Sequence, residues 1–260
     1  MAIPRILILS ATGSNRDRDV ATACDLAGGA PEIVHINAAI AGTRKLADYQ
    51  MLILPGGFSN GDDLGAGKLW AVALRHKLGE ALDAFVAAGK PVLGICNGFQ
   101  ALVKSGLLPG DGAPGAKPAV TLTRNERAHF ECRWVHLEPD PASPCVFTRG
   151  LEEPIFCPVA HGEGQFVARD DAALKGLEAR GGAALRYVDA HGNRAGYPHN
   201  PNGSVANIAG ITNAKGNVLG LMPHPENHVR PEQHPEFHRG VVGRSGLALF
   251  RNGIQYAGQV

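Results

Sequence analysis

Three short runs in the first hundred residues are almost wholly apolar: residues 5–11 (RILILSA), 50–54 (QMLIL) and 91–96 (PVLGIC). A strand with one wet face alternates apolar and polar side chains. Unbroken runs of this length instead fit strands covered on both faces, as in a parallel sheet. Helix-like stretches at residues 17–28, 69–88 and 99–104 alternate with them. The second of these closes on Gly89 with Pro91 just beyond, a common helix stop. Residues 32–37 (EIVHIN) add another strand. Strands separated by helices imply an α/β fold, a mostly parallel central sheet flanked by helices.

The second half reads differently. Residues 119–123, 130–137, 155–159 and 183–188 have strand composition with no long helix between them. Residues 189–193 (DAHGN) and 213–217 (NAKGN) are turn-like, the latter between 208–212 and 218–222, and both read as hairpins. Residues 110–118 form a Gly/Pro/Ala connector, and 245–256 a closing helix weakened by Gly253. No internal repeat is visible. The expectation is one mixed α/β domain over residues 1–260, least clearly patterned from about 229 onward.

Composition narrows the function classes. With 44% hydrophobic and 19% charged residues, the 260-residue chain can bury a sizeable core. A formal charge of +1 and 6% aromatics offer neither a basic footprint nor a stacking platform, so no nucleic-acid partner is expected. Five cysteines without a C-x-x-C pair argue against a disulfide framework and a zinc ribbon. No apolar run approaches the roughly 18 residues that cross a bilayer. The first run is also too short for a signal segment. The expectation is a cytoplasmic protein without a membrane partner.

Gly94-Ile95-Cys96-Asn97-Gly98 places a cysteine between small residues at a strand-to-helix junction. Such a turn projects one side chain from the carboxyl edge of the sheet. A helix starting just after Cys96 turns its positive end toward the sulfur and aims backbone N–H groups at an adjacent oxyanion. A thiol nucleophile needs a base, and the base needs an acceptor that fixes its tautomer. His224 and Glu226, in Pro223-His224-Pro225-Glu226, are two apart and can point to one side of extended backbone. They lie 128 positions beyond Cys96 and can meet it only in the fold. Pro55-Gly56-Gly57 ends a strand, where Gly57 can offer a backbone N–H beside that of Asn97 as a two-donor oxyanion hole. Taken singly, the cysteine reads as a buried structural residue and the other two as ordinary turns; it is their combination that points to chemistry.

In the order P-G-G, G-x-C-x-G, H-P-E, the three elements resemble the class I (triad) glutamine amidotransferases, a flavodoxin-like family. Gly61-Asp62, Gly65-Ala66-Gly67, Phe99-Gln100 and residues 130–135 extend the likeness, as do Ala160-His161-Gly162-Glu163-Gly164, residues 200–204 and residues 208–212. The resemblance covers roughly residues 5–228. Asn60 and Asp63 depart from it, standing where a tyrosine and an apolar or aromatic residue are expected.

The resemblance implies that Cys96 attacks the side-chain amide of L-glutamine, with His224 as base and Glu226 as its orienter. It also implies an oxyanion hole from Gly57 and Asn97, with Gly56, Gln100 and His161 as candidate substrate contacts. Ammonia would pass to a separate synthetase subunit, with or without a small bridging subunit. ATP and magnesium would then belong to that partner, leaving no cofactor or metal in this chain. Met1 lies just before the first strand, which suits a separate subunit rather than part of a fused chain. Two other readings keep the same residues: a stand-alone thiol amidase or peptidase, and a non-catalytic regulatory subunit.

Other features have plainer expectations. His224, His228, His234 and His238 lie among Glu226, Glu232 and Glu236, but Pro225, Pro231 and Pro235 prevent a helix that would pair two histidines on a metal. A solvated tail is expected there. Cys24, Cys132, Cys145 and Cys157 read as structural, and Asn202-Gly203-Ser204 as a sequon without secretory context.

Overall fold

The apolar runs become the middle of a sheet in the computed structural model, which describes residues 2–110, 117–243 and 245–260. In chain order the strands are β1 (Arg5–Ser10), β2 (Ala30–His35), β3 (Met51–Leu54), β4 (Val92–Ile95), β5 (Val120–Thr123), β6 (Glu131–Pro139), β7 (Ile155–His161), β8 (Gln165–Ala168), β9 (Leu185–Val188), β10 (Ile208–Thr212) and β11 (Val218–Leu221). The helices are α1 (Asp17–Leu26), α2 (Ile36–Ile40), α3 (Lys68–Ala87), α4 (Asn97–Lys104), α5 (Asp171–Ala179) and α6 (Leu247–Ala257).

Nine strands form one sheet in the order β2-β1-β3-β4-β11-β10-β9-β6-β7. From β2 to β11 every pairing is parallel, and from β11 to β7 every pairing is antiparallel. Seven of the nine strands therefore run the same way. The sheet is mixed, mostly parallel and flanked by helices, as expected. Strands β5 and β8 form a separate antiparallel ribbon.

Ile6 to Leu9, Met51 to Leu54 and Val92, Leu93 and Ile95 are completely buried, which is why these runs carry no polar alternation. Right-handed crossovers send the chain over one face between β1 and β2 and over the other between β2, β3 and β4. Helices α1 and α6 thus pack together on one face, and α3 and α4 on the other. Helix α4 lies so close to the sheet that a Cβ on Gly98 would sit 2.0 Å from Leu54 O. Gly98→Ala is therefore expected to cost about 2–4 kcal/mol, since the clash is with backbone that cannot rotate away. Urea unfolding midpoints of the two proteins measure this.

Several local expectations need correction. Strand β2 stops at His35 rather than Asn37: His35 Nδ1 accepts the Asn37 N–H and starts α2, turning Ile36 into the core. A nine-residue helix, α5, does lie between the strands of the second half, capped by the Asp170 side chain on Ala173 N–H at 2.8 Å. Residues 189–193 close a turn through Asp189 N–H to Asn193 O, but no strand follows directly. Strand β10 instead returns after a long loop to pair with β9. The 213–217 hairpin is as expected. Of the 110–118 connector, residues 111–116 lie outside the described residues.

The tail is not a solvated one throughout. His228 and His234 are buried, packed with Trp134 and Phe156 at ring separations of 5.4 Å (Trp134 to His228) and 5.1 Å (Phe156 to His234). His228 Nδ1 meets the Phe156 carbonyl. Only His238 of this group is exposed. Cys24, Cys145 and Cys157 are buried free thiols, whereas Cys132 is exposed and so is not held in a core.

Among the described residues, no helix is long and apolar enough to cross a membrane.

Candidate active site

Strand β4 runs into α4 through a single residue, Cys96, whose backbone sits at φ 50° and ψ −106°. A side chain at positive φ is strained, and only surrounding structure holds it there. The Cys96 N–H donates to Leu221 O at 2.8 Å, and Gln100 N–H donates to Cys96 O at 3.0 Å. The turn is thereby fixed to β11 below and to the first turn of α4 above. The Cys96 sulfur lies 3.9 Å from Ala160 O at the end of β7.

Strand β11 delivers the second component. His224, three residues past its end, is anchored by its N–H to Pro158 O at 2.8 Å. Its Nδ1 is 2.7 Å from Glu226 Oε1, and both side chains are almost wholly buried. The Nε2 atom is buried, and Cys96 lies near enough to act on the ring's charge. Burial disfavours the imidazolium, but the Glu226 carboxylate first and then the neighbouring Cys96 outweigh it and raise the pKa to about 10. The imidazolium is therefore the ordinary state at neutral pH. Gly56 allows the approach: a Cβ there would come within 2.7 Å of His224 Cε1.

The loop after β3 is clamped beside this pair. Ser14 and Gly57 form an antiparallel bridge in which Phe58 N–H donates to Gly13 O and Asn15 N–H to Gly56 O. That pattern occupies Gly57's neighbours and leaves its own N–H off the bridge. Asn97 contributes from the other side as the first residue of α4, where an N–H has no intrahelical acceptor. Asn97's side chain reaches Ser59 N–H at 3.0 Å, Asp62 Oδ1 at 2.9 Å and Gln100 Oε1 at 3.0 Å. Gln100 is tied further by its amide N–H to Glu163 O, so both ends of its carboxamide are engaged. Asn60 and Asp62 adopt positive φ in this loop. Asp63, unlike them, keeps an ordinary negative φ of −54°.

His161 closes the far side, buried at the end of β7. Asn125 holds it, with Oδ1 at 3.1 Å from His161 Nδ1 and Nδ2 donating to His161 O at 2.8 Å. Burial first, and then the charge on His224, push the His161 pKa down to about 3, so this ring is neutral. Sequence reasoning passed over Asn125 altogether. Residues 200–204, which extend the family likeness, have a structural role: Asn202 Nδ2 donates to Gly164 O at 2.7 Å and to Tyr187 Oη at 3.1 Å, bracing the 161–164 turn from below. Ser204 Oγ in turn donates to Asn202 Oδ1 at 2.7 Å. A buried polar network of this kind leaves no signal in hydrophobic pattern. Only the density of Asn, Gly and Ser hints at it.

A thiol at a strained turn, a buried imidazolium beside it, a carboxylate on that ring and two backbone N–H groups nearby can perform acyl transfer. Among the described residues there is no cluster of three or more His, Cys, Asp or Glu able to hold a metal.

The family model of the CobB/CobQ-like glutamine amidotransferase domain matches residues 3–257. The chain belongs to this glutamine amidotransferase family. Among curated relatives, the phosphoribosylformylglycinamidine synthase subunit PurQ of Treponema denticola is 46% identical over 97% of this amidotransferase and 98% of the relative. The PurQ subunit of Dehalococcoides mccartyi is 43% identical over the full length of both chains. Among solved structures, a chain of PurLQS from Thermotoga maritima has a TM-score of 0.73 at 35% identity, covering 98% of this chain and 99% of that one. A glutamine amidotransferase from Thermotoga maritima has a TM-score of 0.57 at 16% identity and shares the fold.

Proposed function

We propose that this amidotransferase is the glutaminase subunit of phosphoribosylformylglycinamidine synthase. It hydrolyses L-glutamine and passes ammonia to a synthetase subunit, with or without a small bridging subunit between them. That partner would use ATP and magnesium to convert formylglycinamide ribonucleotide to its amidine. The full-length identity to PurQ subunits supports the assignment. The observation that carries the chemistry is the His224 ring, held 2.7 Å from Glu226 and beside Cys96 at the head of α4.

In this reading the Cys96 sulfur adds to the amide carbon of glutamine, and the C=O electron pair moves onto oxygen. The N–H groups of Gly57 and Asn97 hold that oxyanion. The oxyanion collapses, the C–N bond breaks, and His224 gives its Nε2 proton to the departing nitrogen, which leaves as ammonia. Water then adds to the thioester with His224 taking its proton, the C–S bond breaks, and glutamate is released. Glu226 keeps the imidazole in the tautomer and orientation both steps need. Gly56 acts by letting His224 approach, and Gln100 by tying Asn97 to the 161–164 turn.

A glutamine analogue carrying an electrophile at the amide position tests the nucleophile. The adduct is expected on Cys96 alone, read by peptide mass spectrometry. Burial pushes the thiols of Cys24, Cys145 and Cys157 up and shields them. Cys132 is exposed, so it takes plain alkylating agents and serves as the internal control. An adduct spread equally over Cys96 and Cys132 would remove the assignment.

A further inference from the structure

The hydrogen bonds around Asn125 fix the protonation of His161. Asn125 Nδ2 donates to two carbonyls, His129 O and His161 O, each at 2.8 Å, so the amide nitrogen belongs on that side. Oδ1 then faces the Gly164 N–H at 3.0 Å and His161 Nδ1 at 3.1 Å. An amide oxygen can only accept, so Nδ1 carries the ring proton and Nε2 is a bare lone pair. That Nε2 is buried, and no donor among the described residues reaches it. The ring cannot turn to find one, because Gly164 packs against it so closely that a Cβ there would come within 2.5 Å of Nδ1. His161 directly follows Ala160, whose carbonyl is 3.9 Å from the Cys96 sulfur.

A buried acceptor without a donor is costly unless a ligand supplies one. A ligand fitting this acceptor is small and carries a hydrogen-bond donor, as does the nitrogen released beside the Cys96 sulfur. We propose that His161 Nε2 is a binding point for ammonia, accepting an N–H from the nitrogen as it departs from glutamine. The inference rests on the glutaminase reading above and deepens it. It gives the site a second task. Ammonia is a nucleophile only while unprotonated, and His161 has no proton to give it: Nδ1–H is committed to Asn125 and Nε2 is bare. The ring holds ammonia by its own lone pair and passes it on as NH3.

The test uses the assembled complex with the synthetase subunit, supplied with glutamine and ATP, and reads amidine formed per glutamate formed. The wild-type ratio is expected near one. His161→Phe fills the space without an acceptor and is expected to lower the ratio at least about threefold, whatever the absolute rate. His161→Gln restores an acceptor and is expected to recover most of it. A ratio unchanged in His161→Phe, or lowered equally in both variants, overturns the proposal. If neither variant assembles, 15N-histidine NMR of the wild-type protein decides. His161 Nε2 is expected to be unprotonated between pH 5 and 8 and to shift on adding ammonia at pH 8. A protonated Nε2, or no shift, overturns the proposal. A wild-type complex that makes no amidine from glutamine would instead sink the functional reading itself.

Discussion

A complex carrying Cys96→Ala is expected to make no amidine from glutamine and to keep making it from ammonium salts and ATP. The substitution removes the one sulfur that opens the amide, so glutamine-dependent synthesis should fall on the order of 10⁴-fold or more. In the proposed function amination takes place on the partner, and ammonia from solution bypasses the missing step. The fold should tolerate the change. Cys96 is small, and the backbone bonds from its N–H to Leu221 O and from Gln100 N–H to its carbonyl do not involve the side chain. The release of phosphate with each nitrogen source separates the outcomes. Surviving glutamine-dependent synthesis would refute the triad. Loss of the ammonia-dependent reaction in an assembled complex would give Cys96 a role outside glutamine hydrolysis.

The parts of this site that were legible in the sequence are those built by neighbours along the chain. The strand-Cys96-helix turn is five residues long, and its two glycines are there because β4, α4 and Leu54 leave no room for a Cβ. His224 and Glu226 are likewise two residues apart. The buried runs of β1, β3 and β4 announce a parallel sheet by lacking alternation. What stayed hidden depends on distant contacts. The burial of His228 and His234 comes from Trp134 and Phe156 on β6 and β7, about a hundred residues and some seventy-five residues earlier. Asn125 acts on His161 across 36 positions, and nothing local marks it. Helix α5 is short and buries only Leu177, so no stripe of several core side chains marks it in the sequence. The strand order, with β11 inserted beside β4, is what brings His224 to Cys96. Spacing in the sequence cannot state it.

Glu226→Gln is expected to slow glutaminase turnover about 10³–10⁴-fold while leaving the protein folded, because it keeps the side chain's shape and discards its charge. The carboxylate is the largest of the influences that favour protonated His224 in a site where burial opposes it. Without it the ring's pKa falls, and the proton needed by the leaving nitrogen is held less firmly. The amide can also turn its NH2 toward Nδ1 and stabilise the wrong tautomer. Stability gives an independent reading of the same interaction. The folded pKa of His224 lies above the ordinary 6.5, so the folded state binds a proton that the unfolded chain has released. The resulting stabilisation is fully present below about pH 6.5 and is lost as pH climbs toward 10. Urea unfolding at pH 6 and pH 10 should therefore show a steeper loss for the wild type than for Glu226→Gln. A variant that keeps full turnover, or one with the wild-type pH slope, would reduce Glu226 to a residue of the turn.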